Sequence, residues 1–400
     1  GVGYFVNTTA GAITVNLPAG VAGAVVAIKD YANTFDTYAV TLVQNGSDKI
    51  GGSTVNATLS TEGLAVTLVF VDATQGWLVT DNGTQDTAPT AQYVTATGGT
   101  ITTCGNFKIH SFTGPGTFTV CSTGNAEGST SVDYMVIAGG GGGGTTGPNG
   151  YSATGAAGAG GYRESPGTAS GSYTVSPLGV SPAVALPVSI QGYPITVGAG
   201  GAGAPVTPQG TPGVNGNPST FSTITSTGGG NGGGPACSGG STGGSGGGAS
   251  NLGSPSCGGA GNTPPVSPPQ GNNGGNGIGG GSDGGAGGGG AGAVGTNIAS
   301  DAGAVGGAGV SSGITGSTIQ RAGGGSGGSY SIPGDITGGA GGGGTGGGNV
   351  DNTSSSAGGN GTSNTGGGGG AGGGTSGVPV AGLGGAGGSG IVIIRYKFQN

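Results

Sequence analysis

The sequence predicts a mostly β-structured N-terminal part followed by a glycine-rich domain of packed polyglycine-II helices, with essentially no α-helix. Two observations predict this fold class. Short β-branched and aromatic runs, separated by turn residues, fill the first part of the chain. Glycine then rises from 18 of 138 residues to 94 of 262 residues at the Ala138/Gly139 boundary. No helical hydrophobic period is visible in either part.

The composition narrows the choice of class further. The chain has 400 residues with 112 Gly and 21 Pro, but only 5% charged residues and a net charge of −7. Disordered chains usually combine high net charge with few apolar residues, whereas 32% of these residues are hydrophobic. Collagen is excluded because glycine does not recur at every third position. An uncharged flexible linker and a fold built from glycine remain, and the apolar segments between the glycine runs favour the fold.

Residues 1–86 predict a β-sandwich-like domain of six or seven short strands, and residues 87–92 predict a linker. The strand segments alternate and are separated by turn-forming residues. Trp77 is expected in the core of this domain rather than on its surface as a platform for a sugar. The segments are YFV, AITVNL, AVVAIKD, AVTLV, LAVTLVFVD and GWLV.

Residues 93–132 predict a connector rich in β-hairpins. Two alternating segments flank a Gly-Pro-Gly turn in FKIHSF-TGPG-TFTV, which is a hairpin signal. Cys104 and Cys121 lie on either side of that turn and are expected to oppose one another. His110 alternates with Phe107 and Ile109, so the pattern places it on the polar face.

Residues 133–400 predict the glycine-rich domain, which the strands 133–138 and 390–398 close by pairing. Glycine clusters of roughly 6–11 residues recur between variable inserts. A threefold extended helix has no internal hydrogen bonds, so glycine helices can bond to neighbours on all sides. Eight residues span about 25 Å at a rise of about 3.1 Å, so the inserts become loops at the two ends.

Several functions are excluded or disfavoured by the residues themselves. Seven scattered basic residues in an acidic chain do not form a nucleic-acid footprint. No apolar stretch reaches the roughly 18 residues of a membrane span. No Lys lies between Lys108 and Lys397, which excludes a Walker loop in the glycine-rich domain. One His and the absence of a carboxylate pair predict a protein without catalytic, metal or cofactor sites. The start at Gly1 is expected for a processed or truncated end.

Four cysteines allow two sequential disulfides. The pairs Cys104–Cys121 and Cys237–Cys257 are separated by 17 and 20 positions, and disulfides persist in extracellular settings. Free thiols remain the alternative, because a chain that folds in a reducing cytosol keeps its cysteines reduced.

The order of the segments resembles that of glycine-rich bacteriophage tail-fibre and adhesin proteins. The resemblance rests on VDYMVIAGGGGGG, GAGGYRE, ITVGAGGAG, STFSTITSTGGGNGGG and GGSGIVIIRY, preceded by TATGGTITTCGNFKIHSFTGPGTFTV and by the β-rich start of the chain. It implies a non-enzymatic virion tail-fibre adhesin that binds a bacterial outer-membrane protein or glycan. It implies partners among other fibre subunits and a homo-oligomer, and no receptor residue is transferable by position.

The inserts carry the candidate receptor-binding residues, because Tyr and Arg are frequent interface anchors. An alternative for the GYRE segment is that it braces the domain internally. The pattern allows two other functions. One is a filament subunit whose copies are linked by exchange of an edge strand such as Tyr4–Val6, and the other is a glycine-rich antifreeze-type protein. The candidates are Tyr151, Tyr162, Arg163, Glu164, Tyr173, Tyr193, Arg321, Tyr330 and Asp335.

Overall fold

The computed structural model divides the chain into two compact units, Gly1–Thr90 and Ala91–Asn400. Each unit is described by itself. The described residues contain strands and no α-helix, which confirms the predicted all-β class. They are 1–84, 91–125, 128–145, 153–171, 173–207, 210–234, 239–250, 256–279, 283–330, 332–351, 354–374 and 382–399.

The first unit is built from two sheets around one apolar core. A four-stranded sheet has the order β1-β3-β6-β7, and a three-stranded sheet has the order β2-β4-β5. Alternate residues of both sheets form the core, in which Trp77 is fully buried and its ring meets Phe70 edge-on. The strands are β1 (Val2–Val6), β2 (Ile13–Asn16), β3 (Val25–Asp30), β4 (Val40–Val43), β5 (Ala57–Leu59), β6 (Leu64–Asp72) and β7 (Gly76–Thr84).

The second unit contains further strands and the glycine segments. The strands are β8 (Thr95–Thr97), β9 (Thr100–Cys104), β10 (Phe107–Phe112), β11 (Gly116–Ser122), β12 (Ser131–Ile137), β13 (Tyr162–Glu164), β14 (Leu186–Pro187), β15 (Gly192–Thr196), β16 (Ser219–Phe221), β17 (Ile224–Ser226), β18 (Val310–Ser312), β19 (Ile319–Arg321), β20 (Asn349–Asp351), β21 (Ser354–Ser355) and β22 (Ile391–Lys397). One sheet has the order β13-β12-β22-β10-β9 with β14 beside β12, and another has the order β17-β16-β15-β11-β8.

Strands β12 and β22 form the centre of the larger sheet. They pair antiparallel from Asp133↔Arg395 to Ile137↔Ile391, as the sequence predicts for the two segments that bracket the glycine. Both strands are apolar on two faces because both faces are covered. Tyr134 and Ile394 join the core between the two sheets. Met135 and Ile393 join a second core, on the side of the glycine segments.

The glycine segments form an array of hydrogen-bonded extended helices. Residues 139–144 form the central segment, in which every third N–H donates to the same neighbouring segment. Gly139 donates to the Asn217 carbonyl at 3.0 Å, and Gly142 donates to the Val214 carbonyl of the same segment at 2.8 Å. A return after three residues is the period of the polyglycine-II helix. Counting donors and acceptors, the central segment bonds to six neighbours, which are 155–161, 198–204, 211–217, 228–234, 366–374 and 382–390.

The array runs away from the strands and returns to them. The central segment directly follows β12, and residues 382–390 directly precede β22. The chain therefore reverses at the far end of the array from these strands, and we call this far end the distal end. We call the opposite end, next to β12, β22 and the two sheets of the second unit, the sandwich end. Described segments at the distal end include 299–302, 332–336 and the strands β20 and β21.

The predicted hairpin around Pro115 is wrong. Strand β10 pairs with β9 and β22, whereas β11 pairs with β8 and β15, so the Gly-Pro-Gly turn carries the chain from one sheet to the other. Local alternation is the same for strands of a hairpin and for strands of facing sheets, so the sequence pattern does not separate them. Residues 93–132 are thus part of the second unit, rather than a separate connector.

Candidate functional site

The GYRE segment lies inside the protein, on β13. The Tyr162 hydroxyl donates to Glu164 Oε2 at 2.9 Å, and the Ser176 N–H donates to the same oxygen at 3.1 Å. The Ser312 hydroxyl donates to Glu164 Oε1 at 2.5 Å. Burial raises the pKa of the Glu164 carboxyl, while these hydrogen bonds act in the opposite direction. The segment therefore braces β13 against the loop at 176 and against β18.

Four of the predicted receptor-contact residues are buried, so that prediction is wrong for them. Tyr162 and Glu164 belong to the brace, and Tyr193 lies in the core between the two sheets, where its hydroxyl accepts the Ser189 N–H at 2.8 Å. Arg321 on β19 is 6% exposed. Burial lowers its pKa, and the charges of Tyr162 and Glu164 oppose this. Tyr and Arg in an insert look alike in sequence whether they face solvent or fill a space beneath the loop.

The other candidates are at least partly accessible or lie outside the described part. Arg163 and Tyr173 are half-buried at the sandwich end, and burial raises the pKa of the Tyr173 hydroxyl. Tyr330 is half-buried and Asp335 is exposed, both at the distal end. Tyr151 lies outside the described residues.

His110 is buried rather than solvated. Its Nδ1 lies 2.7 Å from the Gly98 carbonyl oxygen and its Nε2 lies 3.1 Å from the Tyr396 hydroxyl. Burial lowers the pKa of the imidazole, and the Lys108 charge adds to this effect. Since a carbonyl accepts, Nδ1 carries the proton and Nε2 accepts the tyrosine hydroxyl. His110 is thus a satisfied core residue, which corrects its assignment to the polar face.

Cys104 and Cys121 are free in the structure, which contradicts the disulfide predicted between them, whereas the predicted Cys237–Cys257 pair includes a residue outside the described part of the chain. Cys104 lies on β9 and Cys121 on β11, in different sheets, because the hairpin that was expected to bring them together does not form. Cys257 is a free, exposed thiol, and Cys237 lies outside the described residues.

The distal end carries acidic and polar groups on backbone that the array holds. Asp335 Oδ1 accepts the Ser356 hydroxyl at 2.5 Å and the Gly348 N–H at 3.2 Å, which ties two connections together. Val350 on β20 is 64% exposed beside them. Among the described side chains of this end are the carboxylates of Asp283, Asp301 and Asp335, and none of these side chains is a Lys, Arg or His.

Two of these carboxylates influence one another. The Asp283 N–H donates to Asp301 Oδ1 at 2.9 Å, and the Asp301 carbonyl accepts the Tyr330 N–H at 2.8 Å. Burial raises the pKa of Asp283, and repulsion from Asp301 raises it further. Asp283 and Asp301 therefore form an acidic pair among the described residues of the distal end.

Neither metal nor membrane features appear in the described part of the chain. Its His, Cys, Asp and Glu side chains form no cluster of three that would hold a metal ion. Nor does it contain a helix with the length and hydropathy of a membrane span.

Comparison with known proteins identifies the class. A family model described as a glycine-rich domain matches residues 112–397. This match covers more than half of the chain, so the chain belongs to the glycine-rich domain family. The match begins at the end of β10 and ends at the end of β22, and so takes in the whole array. None of the curated proteins matches the chain.

Proposed function

We propose that the chain is a non-enzymatic bacteriophage tail-fibre adhesin whose distal end binds a receptor on the bacterial surface. The observation that carries the proposal is the central segment with hydrogen bonds to six neighbours. A scaffold fixed on all sides leaves little conformational freedom to lose when its connections bind a partner. This rigidity supports presentation of the distal connections as a binding surface.

The array does not depend on the sequence of the connections between its helices, and this supports the same proposal. Backbone groups hold the array, so the connecting residues are free to differ in length and sequence without loss of the scaffold. The described distal connections do differ: residues 299–302 contain no strand, whereas β20 and β21 at the same end pair with each other. Val350 and Asp335 are exposed among the described residues of the distal end and are thus accessible to a receptor.

Immunogold electron microscopy tests the proposal. Antibodies against the chain are expected to label the fibre tips of tailed particles. Labelling along continuous filaments, in preparations without tailed particles, would contradict the adhesin and support a filament subunit. An antibody against the major capsid protein of the same particles is the control for particle identity.

A filament subunit is the second candidate, and one observation favours it. Strand β1 is an edge strand, paired only with β3 in its sheet, and it exposes Tyr4 by 48% and Phe5 by 77%. An exposed apolar edge is a template for pairing with another chain. Deletion of residues 1–6 is expected to abolish filament growth if this function holds, and to leave fibre-tip labelling unchanged if it does not.

A further inference from the structure

An open cleft of about 430 Å³ lies at the sandwich end of the second unit, away from the distal end. Tyr173 and Thr174 line one side, and the β18–β19 turn with Gly313 and Thr318 lines another. Arg395 on β22 also lines it. The volume falls within the range of about 300–1,000 Å³ that is usual for small-molecule pockets.

The guanidinium of Arg395 is buried and incompletely bonded. The side chain is 2% exposed, and Nη1 donates to the Ile314 carbonyl oxygen at 3.1 Å. Its carbon lies 4.3 Å from the centre of the Phe107 ring and 5.2 Å from that of Tyr173. Nε is buried with no hydrogen-bond partner. Burial lowers the pKa of this group, whereas the Cys104 side chain, which also lines the cleft and is hydrogen-bonded to the guanidinium, acts in the opposite direction, as do Tyr173 and Asp133.

The acidic residue opposite Arg395 on the sheet makes its hydrogen bonds with other residues. Asp133 is the register partner of Arg395 on β12. Its Oδ1 accepts the Ser165 hydroxyl at 2.8 Å, and its Oδ2 accepts the Ser170 N–H at 2.7 Å and the Ser170 hydroxyl. Within the described residues, no ion pair joins Arg395 to a carboxylate.

A buried cation without a counterion is costly, and folded proteins usually pair such charges. Here the charge borders a solvent-open cleft, so a bound anion restores the pair. Hydrogen bonds from a guanidinium to a carboxylate are stronger than neutral ones, because both partners are charged. The hydroxyls of Thr174 and Thr318 and the side-chain-free edge at Gly313 suit a ligand that carries hydroxyl groups. We propose that the cleft binds a hydroxylated carboxylate of about monosaccharide size, with its carboxylate on Arg395.

This inference does not depend on the function proposed for the distal end. Isothermal titration calorimetry of the full chain tests it with three probes, sodium glucuronate, glucose and inorganic phosphate. Glucuronate is expected to bind with one site per chain and at least ten times more tightly than either glucose or phosphate. Equal binding of glucose, tighter binding of phosphate, or no binding of glucuronate overturns the proposal.

Variants separate a ligand role of Arg395 from a structural one. Arg395→Met is expected to abolish glucuronate binding while its melting temperature without ligand equals or exceeds that of the parent, because an unpaired buried charge has been removed. A lower melting temperature of Arg395→Met, together with no glucuronate-induced stabilisation of the parent, overturns the proposal.

Two further variants, one in the cleft lining and one outside it, keep the test valid if Arg395→Met does not fold. Thr318→Val removes an exposed hydroxyl that lines the cleft and is expected to weaken glucuronate binding at least threefold. Ser311→Ala removes an exposed hydroxyl of β18 that does not line it, and is expected to leave binding unchanged. Equal affinities of the two variants contradict the assignment.

Discussion

Position 142 requires glycine because of space rather than backbone conformation. A Cβ added there would lie closer than 3.0 Å to the backbone carbonyl of Ala202. The same holds along the central segment, where each added Cβ would meet the carbonyl group of a neighbouring helix. The approach of the backbones lets each N–H find an acceptor in a neighbouring helix, and this bonding stabilises ordered glycine despite its large loss of conformational entropy.

Gly142→Ala is therefore expected to destabilise the second unit by about 1–3 kcal/mol, the usual cost of overpacking a tight core. The matched control is Gly114→Ala, where an added Cβ meets nothing within 4 Å. Urea-induced unfolding of both variants measures the free energies. Equal stability of the two would contradict a close-packed array.

Asp30 is the residue for which the structure predicts acid sensitivity of the first unit. Burial acts to raise the pKa of this carboxyl, but N–H groups of Phe35, Thr34, Gly63 and Ala32 donate to it, and the net pKa is lowered. A lowered folded pKa gives stability that is present above the unfolded value of about 3.9. That stability is lost as the pH falls through the folded value.

Asp30→Asn is expected to cost about 1–3 kcal/mol at neutral pH, since the amide nitrogen leaves N–H donors without an acceptor. It is also expected to flatten the loss of stability below about pH 4. Trp77, the single tryptophan, reports unfolding of this unit by fluorescence. Asp36→Asn, an exposed neighbour in the same loop, is the control and is expected to keep the parent profile.

At the scale of elements, the sandwich and the array share β12 and β22. The central segment continues from β12, and residues 382–390 continue into β22. Ser219 and Ser226 strengthen this junction, because their hydroxyls donate to the carbonyls of Ile137 and Val136, both at 2.8 Å. The two strands therefore fix the position at which the array begins and ends.

Amide hydrogen exchange is expected to be slowest in the central segment, where the N–H groups of Gly140, Gly141 and Gly143 are bonded at 2.9–3.0 Å and buried. Deuterium uptake of peptides that cover residues 139–144, followed by mass spectrometry, measures this. Peptides that cover the exposed turn at Thr113 are the internal reference and are expected to exchange quickly. Exchange of the glycine peptides at unprotected rates would show a linker instead of an array.

At the scale of the whole molecule, the second unit has two ends with different chemistry. The sandwich end has the buried brace at Glu164 and the cleft at Arg395. The distal end has Asp283, Asp301 and Asp335 among its described residues. If the distal end binds the receptor, substitutions there will reduce cell binding and equivalent substitutions at the other end will not.

Val350→Lys is expected to lower binding of the purified chain to host cells at least tenfold, as measured by flow cytometry of the labelled protein. Ile190→Lys is its matched control at the sandwich end, since Val350 is 64% and Ile190 is 67% exposed. A loss of binding confined to Ile190→Lys would place the receptor surface at the sandwich end and contradict the proposal.

Sequence reasoning succeeded where a local pattern decides the outcome. Alternation of β-branched residues predicted the strands, and the rise of glycine at Ala138/Gly139 marked the start of the array. The matching length and apolar character of VDYMVIA and GIVIIRY predicted that the two segments pair, and β12 and β22 do so. The core position of Trp77 followed from the same alternation.

The candidate site was less accessible to sequence reasoning. Tyr162, Glu164, Tyr193 and Arg321 are candidates for receptor contact by sequence, yet they are buried on β13, β15 and β19. The sequence signal for Arg395 is its position as the single Arg within the apolar run GIVIIRY, which is typical of a buried charge.

The sequence by itself determined the all-β class, the start of the glycine array and the pairing of the strands that bracket it. Only the tertiary structure decided which sheet β10 and β11 join, that His110 is buried, and that Arg395 faces a cleft without a counterion. The physical reason is distance along the chain. Strand β10 pairs with β22, more than 270 positions away, and the central segment bonds to six segments drawn from across the second unit. Local composition carries no record of those partners.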